Sequence, residues 1–407
     1  MSESLFRTDA IIARQAIFDK DLNVYAYELL FRTDHNQQES GVSSTSGDDA
    51  TSQVINYTFM ELGIERVIGN HIAFINLTRN FILSDDPLPF AHDRVVLEIL
   101  EDIEADKDII TATQNLVDQG YIIALDDFIF DESLCPLVKL AEIIKIDLLA
   151  LSEQELKEHV SFLKQRNVKL LAEKVETQEQ FKLCQQLGFD YFQGYFFSRP
   201  IIIEDKPIPE SQFNLLTIIA KLQNPDVKFD DIEQLIRQDV GLSYKLLRLL
   251  NSAAVGLPRK IDSIKQGLVI LGLKAIKTWT TLITLNALEM TTTELMTHTL
   301  IRAKMCEQLA PYFNSQSETG FLVGLFSMID AIMSHSMDEL LVSLPLSSEV
   351  KQALLSEQGE LGQLLHIVIH YEQGLWENID TEQVSLETLG TSYLTATEWT
   401  IKTQEAL

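Results

Sequence analysis

The first half of the chain alternates short runs of β-branched, aromatic and aliphatic residues with segments whose apolar positions recur every three or four residues. DIITATQNLVDQG followed by YIIALDD is one such pair. A short unbroken apolar run reads as a buried strand, and spacing near 3.6 as a helix. The alternation therefore predicts βα units, a parallel sheet and right-handed crossovers between neighbouring strands. After SRPIIIEDKPIPES, which has three prolines and no period, the pattern changes. FNLLTIIAKLQ, SIKQGLVILGLKAIKTWTTLITL and LMTHTLIRAKMCEQLAPYF keep helical spacing with no competing alternation, which predicts an all-helical second half. The expected architecture is α/β plus all-α: a β/α barrel over 1–203 and a helical domain over 204–407. The polar, Ser/Gly-rich stretch from His35 to Asp49 predicts a mobile loop.

The apolar runs carry polar side chains at or near their ends. VYAYELL holds Glu28, HIAFIN ends at Asn76, VVLEIL holds Glu98, and YIIALDD ends at Asp126 and Asp127. IIKID carries Lys145 and Asp147, LLAEKVE carries Glu173 and Glu176, and FDYFQGY carries Gln193. In a parallel barrel the C-terminal strand ends converge on one face, so these groups are expected at a common rim. Any one of them is also what a buried strand looks like where it surfaces into a loop. Jointly they are harder to explain that way. Clustered carboxylates repel by about 4 kcal/mol per pair at about 4 Å and an effective dielectric near 20, and a cation removes that cost. Lys145, flanked by Ile144 and Ile146, calls for a carboxylate partner.

At 407 residues the chain exceeds the size at which one core keeps growing, consistent with two domains. The net charge of -28 argues against binding a nucleic-acid polymer, which needs clustered Lys and Arg. Cys135, Cys184 and Cys306 show no CxxC spacing, so neither a zinc site nor a disulfide framework is suggested. MSESLFRTDA is not a secretion signal, and apolar stretches such as GFLVGLFSMI fall short of the roughly 18 residues that cross a bilayer. The expectation is a cytoplasmic protein with no membrane partner.

Taken in order, the rim residues resemble the EAL family of cyclic di-GMP phosphodiesterases over about half of the chain. The signature appears as Glu28-Leu29-Leu30, followed by Arg32. Asn76 stands in FINLTRNFI, Glu98 and Glu101 in LEILED, and the double aspartate is Asp126-Asp127 with Phe128. Lys145-Ile146-Asp147 is intact, Ala172-Glu173-Lys174-Val175-Glu176-Thr177 is nearly so, and DYFQGYFFSRP supplies Gln193, Gly194, Arg199 and Pro200. The resemblance implies a phosphodiesterase that opens cyclic di-GMP to pGpG with two Mg2+ or Mn2+ ions. Such ions sit about 3.5–4 Å apart and are held by oxygen ligands. Glu28, Asn76, Glu98 and Asp126 would hold one ion, and Asp126 with Asp127 the second. Lys145 and Glu173 would orient or deprotonate the water, with Asp127 also in a catalytic role. Arg32 would contact phosphate, and Glu176 and Gln193 would support the second metal and its surroundings.

The chain departs from the family at three places. The Gly-Thr-Gly-Tyr-Ser-Ser loop after the double aspartate, tied in the family to the metal site and a dimer contact, reads Ile129-Phe130-Asp131-Glu132-Ser133 after Phe128. The Pro-x-x-Phe-Ile segment after Glu28 is absent, and Lys174 replaces a glycine. Two other readings therefore stay open: a cyclic di-GMP receptor with little turnover, and an interaction scaffold. A homodimer is compatible with each.

The second half resembles the HDOD domain, with Asn251-Ser252-Ala253 and Ile270-Leu271-Gly272 carrying the likeness. Where an active HD hydrolase reads Gly-Leu-Leu-His-Asp, this chain reads Gly324-Leu325-Phe326-Ser327-Met328. No second hydrolase is expected, and the implied role is binding an unknown protein partner. His366 and His370 are four apart but have no third ligand nearby in sequence, and Met328, Met333 and Met337 read as core fill.

Overall fold

Strands β1 (Ala10–Phe18), β2 (Val24–Thr33), β3 (Ile72–Leu77), β4 (Val95–Ile99), β5 (Ile122–Leu125), β6 (Ile143–Asp147), β7 (Lys169–Glu173) and β8 (Tyr191–Phe192) close into a barrel in chain order. The structure is a computed structural model and describes residues 10–33, 63–84, 88, 90–127, 134–194, 210–224, 226–251, 260–286, 293–333 and 335–406. The loop expected at 35–49 and the segments at 128–133 and 195–209 lie outside the described residues. The Cα positions group into two units. One is Met1–Arg199 with Glu372–Gly374 and Leu386–Leu394, and the other is the remainder.

Strands β2 to β8 run parallel, as the alternation predicts. The first strand corrects the expectation of a crossover between every neighbouring pair, because β1 is antiparallel to both β2 and β8. A crossover needs about a dozen residues, and only Asp19 to Asn23 separate β1 from β2. Asp19 Oδ1 accepts from the backbone N–H groups of Asp21 and Asn23, each at 2.9 Å, and Leu22 takes a left-handed φ of 62°. A hairpin results.

Both faces of the barrel wall are covered, which explains the unbroken apolar runs. Inside, Ile17, Ala26, Phe74, Val96, Ala124, Ile143, Leu171 and Tyr191 form a plug with one residue from each strand. Outside, Leu29, Ile75, Leu97, Ile144 and Ala172 share a second core with residues such as Ile109, Val160 and Phe181 of the surrounding helices. Helix Lys107–Asp118 starts at Asp106, whose side chain accepts from the N–H groups of Asp108 and Ile109. Helices Glu153–Leu163 and Gln178–Leu187 start with the reciprocal caps Ser152/Glu155 and Thr177/Gln180.

From Glu210 onward the described residues form helices and no strand. Helices Glu210–Leu222, Phe229–Arg237, Val240–Leu250 and Ile264–Asn286 enclose a core that includes Leu222, Ile236, Leu246, Leu250, Leu268 and Ile276. Asn251 explains part of the motif it stands in. Its amide donates to the carbonyls of Leu247 and Ile261, each at 2.8 Å, and its oxygen accepts from Ile261 N–H at 2.7 Å. The side chain thus ties the end of one helix to Ile261, three residues before the next.

Two expectations change in this half. Ile264–Thr284 is, by length and composition, long and apolar enough to cross a membrane, so the judgement that no stretch reaches that length does not hold. Half of it is buried, and Gly272, at φ 83° and ψ 168°, breaks the helix into two parts. Histidines 366 and 370 also have a near neighbour that sequence distance concealed: Glu357 Oε2 lies 2.6 Å from His366 Nδ1. His370 Nδ1 is taken by the His366 carbonyl at 2.9 Å. Met328 and Met333 are core fill, as expected.

Candidate active site

Two residues further along each parallel strand from the plug, and two residues back along antiparallel β1, stand Gln15, Glu28, Asn76, Glu98, Asp126, Lys145, Glu173 and Gln193. Successive side chains on a strand alternate faces, so residues two apart share one. The strands therefore deliver a polar layer directly above the apolar plug. Asp126 and Gln193 lie one residue beyond β5 and β8, and their N–H groups donate to Ile99 O and Ala172 O, which extends the ladder to them.

Lys145 is at the centre. It is fully buried, and its Nζ lies 2.7 Å from Asp126 Oδ1, 2.8 Å from Glu98 Oε1, 3.0 Å from Glu173 Oε1 and 3.3 Å from Glu28 Oε2. The Glu98 and Asp126 contacts are ion pairs by distance, without hydrogen-bond alignment. Glu28 Oε2 also accepts from Gln193 Nε2 at 2.7 Å, while Asn76 Nδ2 donates to Glu28 Oε1 at 3.4 Å. Gln193 Nε2 lies 3.0 Å from Gln15 Oε1, a residue that the sequence does not single out.

These carboxylates do not share one electrostatic fate. Burial pushes Glu98 well above the usual carboxylate range, against the pull of Lys145. Burial likewise raises Glu173 to about 8, again opposed by Lys145. Burial acts the same way on Glu28, but Lys145 and the hydrogen bonds from Gln193, Lys145 and Asn76 outweigh it, and its carboxyl falls below the usual range. For Lys145, burial opposes charge, yet the attraction of Glu28, Glu98, Glu173 and Asp126 holds it well above an ordinary lysine. One buried ammonium thus faces more negative charge than it neutralises.

The donor set fits a hard divalent cation, which takes oxygen ligands. Asp126, Asp127 and Glu173 each offer an oxygen, and these atoms lie within 4.8 Å of one another. Asn76 Oδ1, Glu98 Oε2, Glu173 Oε2 and Gln193 Oε1 are buried oxygens with no hydrogen-bond donor. Buried oxygens left so are uncommon in folded proteins and point to a bound cation or water.

The family model of the EAL domain matches residues 57–200, and that of the HDOD domain matches residues 208–363. Over 400 residues the chain is 34% identical to the uncharacterized protein YuxH of Bacillus subtilis, covering 95% of this chain and 97% of that one. It is 32% identical over 380 residues to the cyclic di-GMP phosphodiesterase CdgJ of Vibrio cholerae, covering 92% of this chain and 88% of that one. The chain belongs to the EAL–HDOD family. Among solved structures, the Bacillus subtilis YkuI protein, with an EAL domain and in complex with c-di-GMP and calcium, is 21% identical. That match has a TM-score of 0.39 and covers 65% of this chain and 73% of that chain.

In this EAL–HDOD protein the barrel brings Glu28, Asn76, Glu98, Asp126, Lys145, Glu173 and Gln193 into one layer, with Asp127 at its edge. Asp127 takes a left-handed φ of 41°, and burial, with Asp126 and other carboxylates, raises its carboxyl above the usual range. The Glu176 side chain is exposed, and its N–H donates to Gln180 Oε1 at the start of the next helix. Arg32 pairs with Ile11 near the end of β2, and its side chain is outside the described residues, as are Phe128, Arg199 and Pro200. Lys174, which stands where the family has a glycine, reaches Asp147, with Nζ 2.5 Å from Oδ2.

Gln15 is what the sequence misses. A polar residue near a strand's C-terminal end signals the rim only when the strand runs parallel. In antiparallel β1 the same level is reached before the plug residue Ile17 instead of after it, and Gln15 pairs directly with Glu28.

Proposed function

We propose that this protein is a divalent-metal-dependent phosphodiesterase that opens cyclic di-GMP to linear pGpG. The observation that supports it best is the oxygen-lined layer around Lys145. It holds Glu28, Glu98, Asp126 and Glu173 together at a strand-end rim, the place where barrel enzymes carry chemistry. The relationship to CdgJ, a cyclic di-GMP phosphodiesterase, supplies the substrate.

Glu28, Asn76, Glu98 and Asp126 would hold one cation, and Asp126 with Asp127 a second. Bound Mg2+ or Mn2+ would stabilise charge on the phosphodiester and make water nucleophilic near neutral pH. Lys145 fixes the positions of four carboxylates and keeps its proton throughout. Glu173 is the group suited to take a proton from water, since its carboxyl titrates at about 8, within the range useful to a general base. Gln193 orients Glu28 by a 2.7 Å hydrogen bond. Arg32 would contact phosphate and Glu176 would act from the edge. The helical half, from about residue 204, would dock a protein partner.

A receptor with little turnover is the second reading, favoured by the loss of both of the family's loop glycines from the stretch 129–133 just after Asp127 and Phe128. Incubating the purified protein with cyclic di-GMP and Mg2+ or Mn2+, and following pGpG by chromatography, separates the two. The enzyme reading expects product, and a loss of about 100-fold or more in Glu28→Ala and Lys145→Ala. Tight binding without product would leave the receptor, and neither binding nor product would remove both.

A further inference from the structure

Lys174 follows β7 directly and has a φ of 52°, a left-handed conformation unfavourable for a residue with a Cβ. On the neighbouring strand, Asp147 is the register partner of Glu173. The turn at Lys174 sends its side chain back across that pair, so that Nζ meets Asp147 Oδ2 at 2.5 Å. The two ammonium groups at the rim face overlapping sets of acids, with Glu173 common to both. Lys145 contacts Glu28, Glu98, Asp126 and Glu173 from within, with 1% of its side chain exposed. Lys174 lies on the solvent side with 52% of its side chain exposed, next to Asp147 and within electrostatic reach of Asp127 and Glu173. Asp127 is also in the field of Asp126, Asp147 and Glu101.

We infer that Lys174 is a tethered counter-ion for the outer carboxylates Asp127, Asp147 and Glu173, and that it competes there with the second divalent cation. This rests on the cation-dependent reading above and deepens it. Lys145 cannot be displaced, because four carboxylates enclose it. Lys174 can be: its ammonium is hydrated, carried on a flexible stem, and held by one partially exposed pair. A second divalent ion must move that ammonium aside or bind against its repulsion. Lys174 therefore weakens the outer cation position selectively, and the inner one does not answer to it. Lys174 is a positioning residue, acting through the carboxylates and not on the substrate.

The test is a calorimetric titration of the full chain with Mn2+, comparing wild type with Lys174→Gln, Lys174→Arg and Lys174→Gly. Lys174→Gln keeps an unbranched polar side chain, one atom shorter, and the backbone demand while removing the charge. It should tighten the weaker class of sites by about tenfold, which is about 1.4 kcal/mol, and leave the tighter class unchanged. Lys174→Arg should behave as wild type, and Lys174→Gly, which also relieves the left-handed backbone, should behave as Lys174→Gln. A Lys174→Gln isotherm that superimposes on wild type, or that shifts both classes together, overturns the inference and leaves the phosphodiesterase reading intact. Absence of Mn2+ binding in every protein overturns both.

Discussion

Lys145 Nζ and Glu98 Oε1 meet at 2.8 Å where at most 1% of either side chain reaches solvent. A pair this deep has given up nearly all its hydration, and its attraction does little more than repay that loss. Three further carboxylates crowd the same ammonium. The layer is thus stable only as a set, and what each member contributes is read best by changing one at a time.

Replacing Lys145 by methionine keeps the volume of the stem and removes the charge. Glu28, Glu98, Asp126 and Glu173 then face one another with no cation among them. In chelator, urea unfolding should show a loss of about 3–5 kcal/mol, the range found when one partner of a buried ion pair is removed. Mn2+ should restore more stability to this variant than it adds to wild type. An unchanged unfolding midpoint would contradict the central place given to the ammonium.

Glu98→Gln should act in the opposite sense on the cation-free protein. Burial already raises the Glu98 carboxyl well above its ordinary range, so its charge is costly, and an amide of the same shape removes that cost. Stability in chelator should hold or rise. Mn2+ affinity should fall by about tenfold or more, because an anionic ligand becomes neutral. Titration calorimetry with paired thermal melts reads both. If stability falls and affinity does not, Glu98 is holding the fold and not the ion.

The effect of pH follows from Glu173, held at about 8 by burial. An unfolded glutamate loses its proton near 4.5, so between there and about 8 the folded protein binds the extra proton. Unfolding free energy in chelator should therefore be greatest at the acid end of that window and fall as pH rises through it, with the raised carboxyls of Glu98 and Asp127 adding to the fall. Glu28, whose carboxyl is lowered, contributes stability above the unfolded value and loses it only at more acid pH, so its window does not overlap. A divalent ion competes with the Glu173 proton, and its stabilising effect should grow from pH 5.5 to 8.5 in thermal melts. A Mn2+ shift that is the same at both pH values would exclude Glu173 as a ligand or base.

Much of this site was legible before the fold because of a regularity two residues long. Ala26 and Glu28, Phe74 and Asn76, Val96 and Glu98, and Ile143 and Lys145 are each a plug residue and a rim residue on one face of one strand. A polar residue inside an otherwise apolar run therefore marks the level at which plug gives way to site. The pattern breaks where strand direction changes, and Gln15 was missed for that reason. It also says nothing of loop conformations, so the contact that Lys174 makes with Asp147 from a left-handed backbone is not legible in it. Gly272 reads as a tolerated glycine in a periodic helix, and only its dihedral angles reveal the break. Glu176 matches its motif yet faces solvent, since the adjoining Thr177 and Gln180 cap the next helix.

Gly194 carries the last prediction, because it sets where Gln193 can stand. Its φ is +149°, and a Cβ there would lie 2.3 Å from Val175 N and 2.4 Å from Val175 O, both backbone atoms that cannot turn aside. The close approach exists because Val175 N–H donates to Gln193 O at 3.0 Å, extending the β7–β8 ladder just past both strand ends. Gly194→Ala must break that bond or push Gln193 away, and with it the 2.7 Å hydrogen bond to Glu28. Backbone strain of this kind costs about 1–3 kcal/mol, so the melting temperature should fall and Mn2+ affinity should weaken with it. A Gly194→Ala protein that melts and binds Mn2+ as wild type does would show that the rim does not depend on this contact.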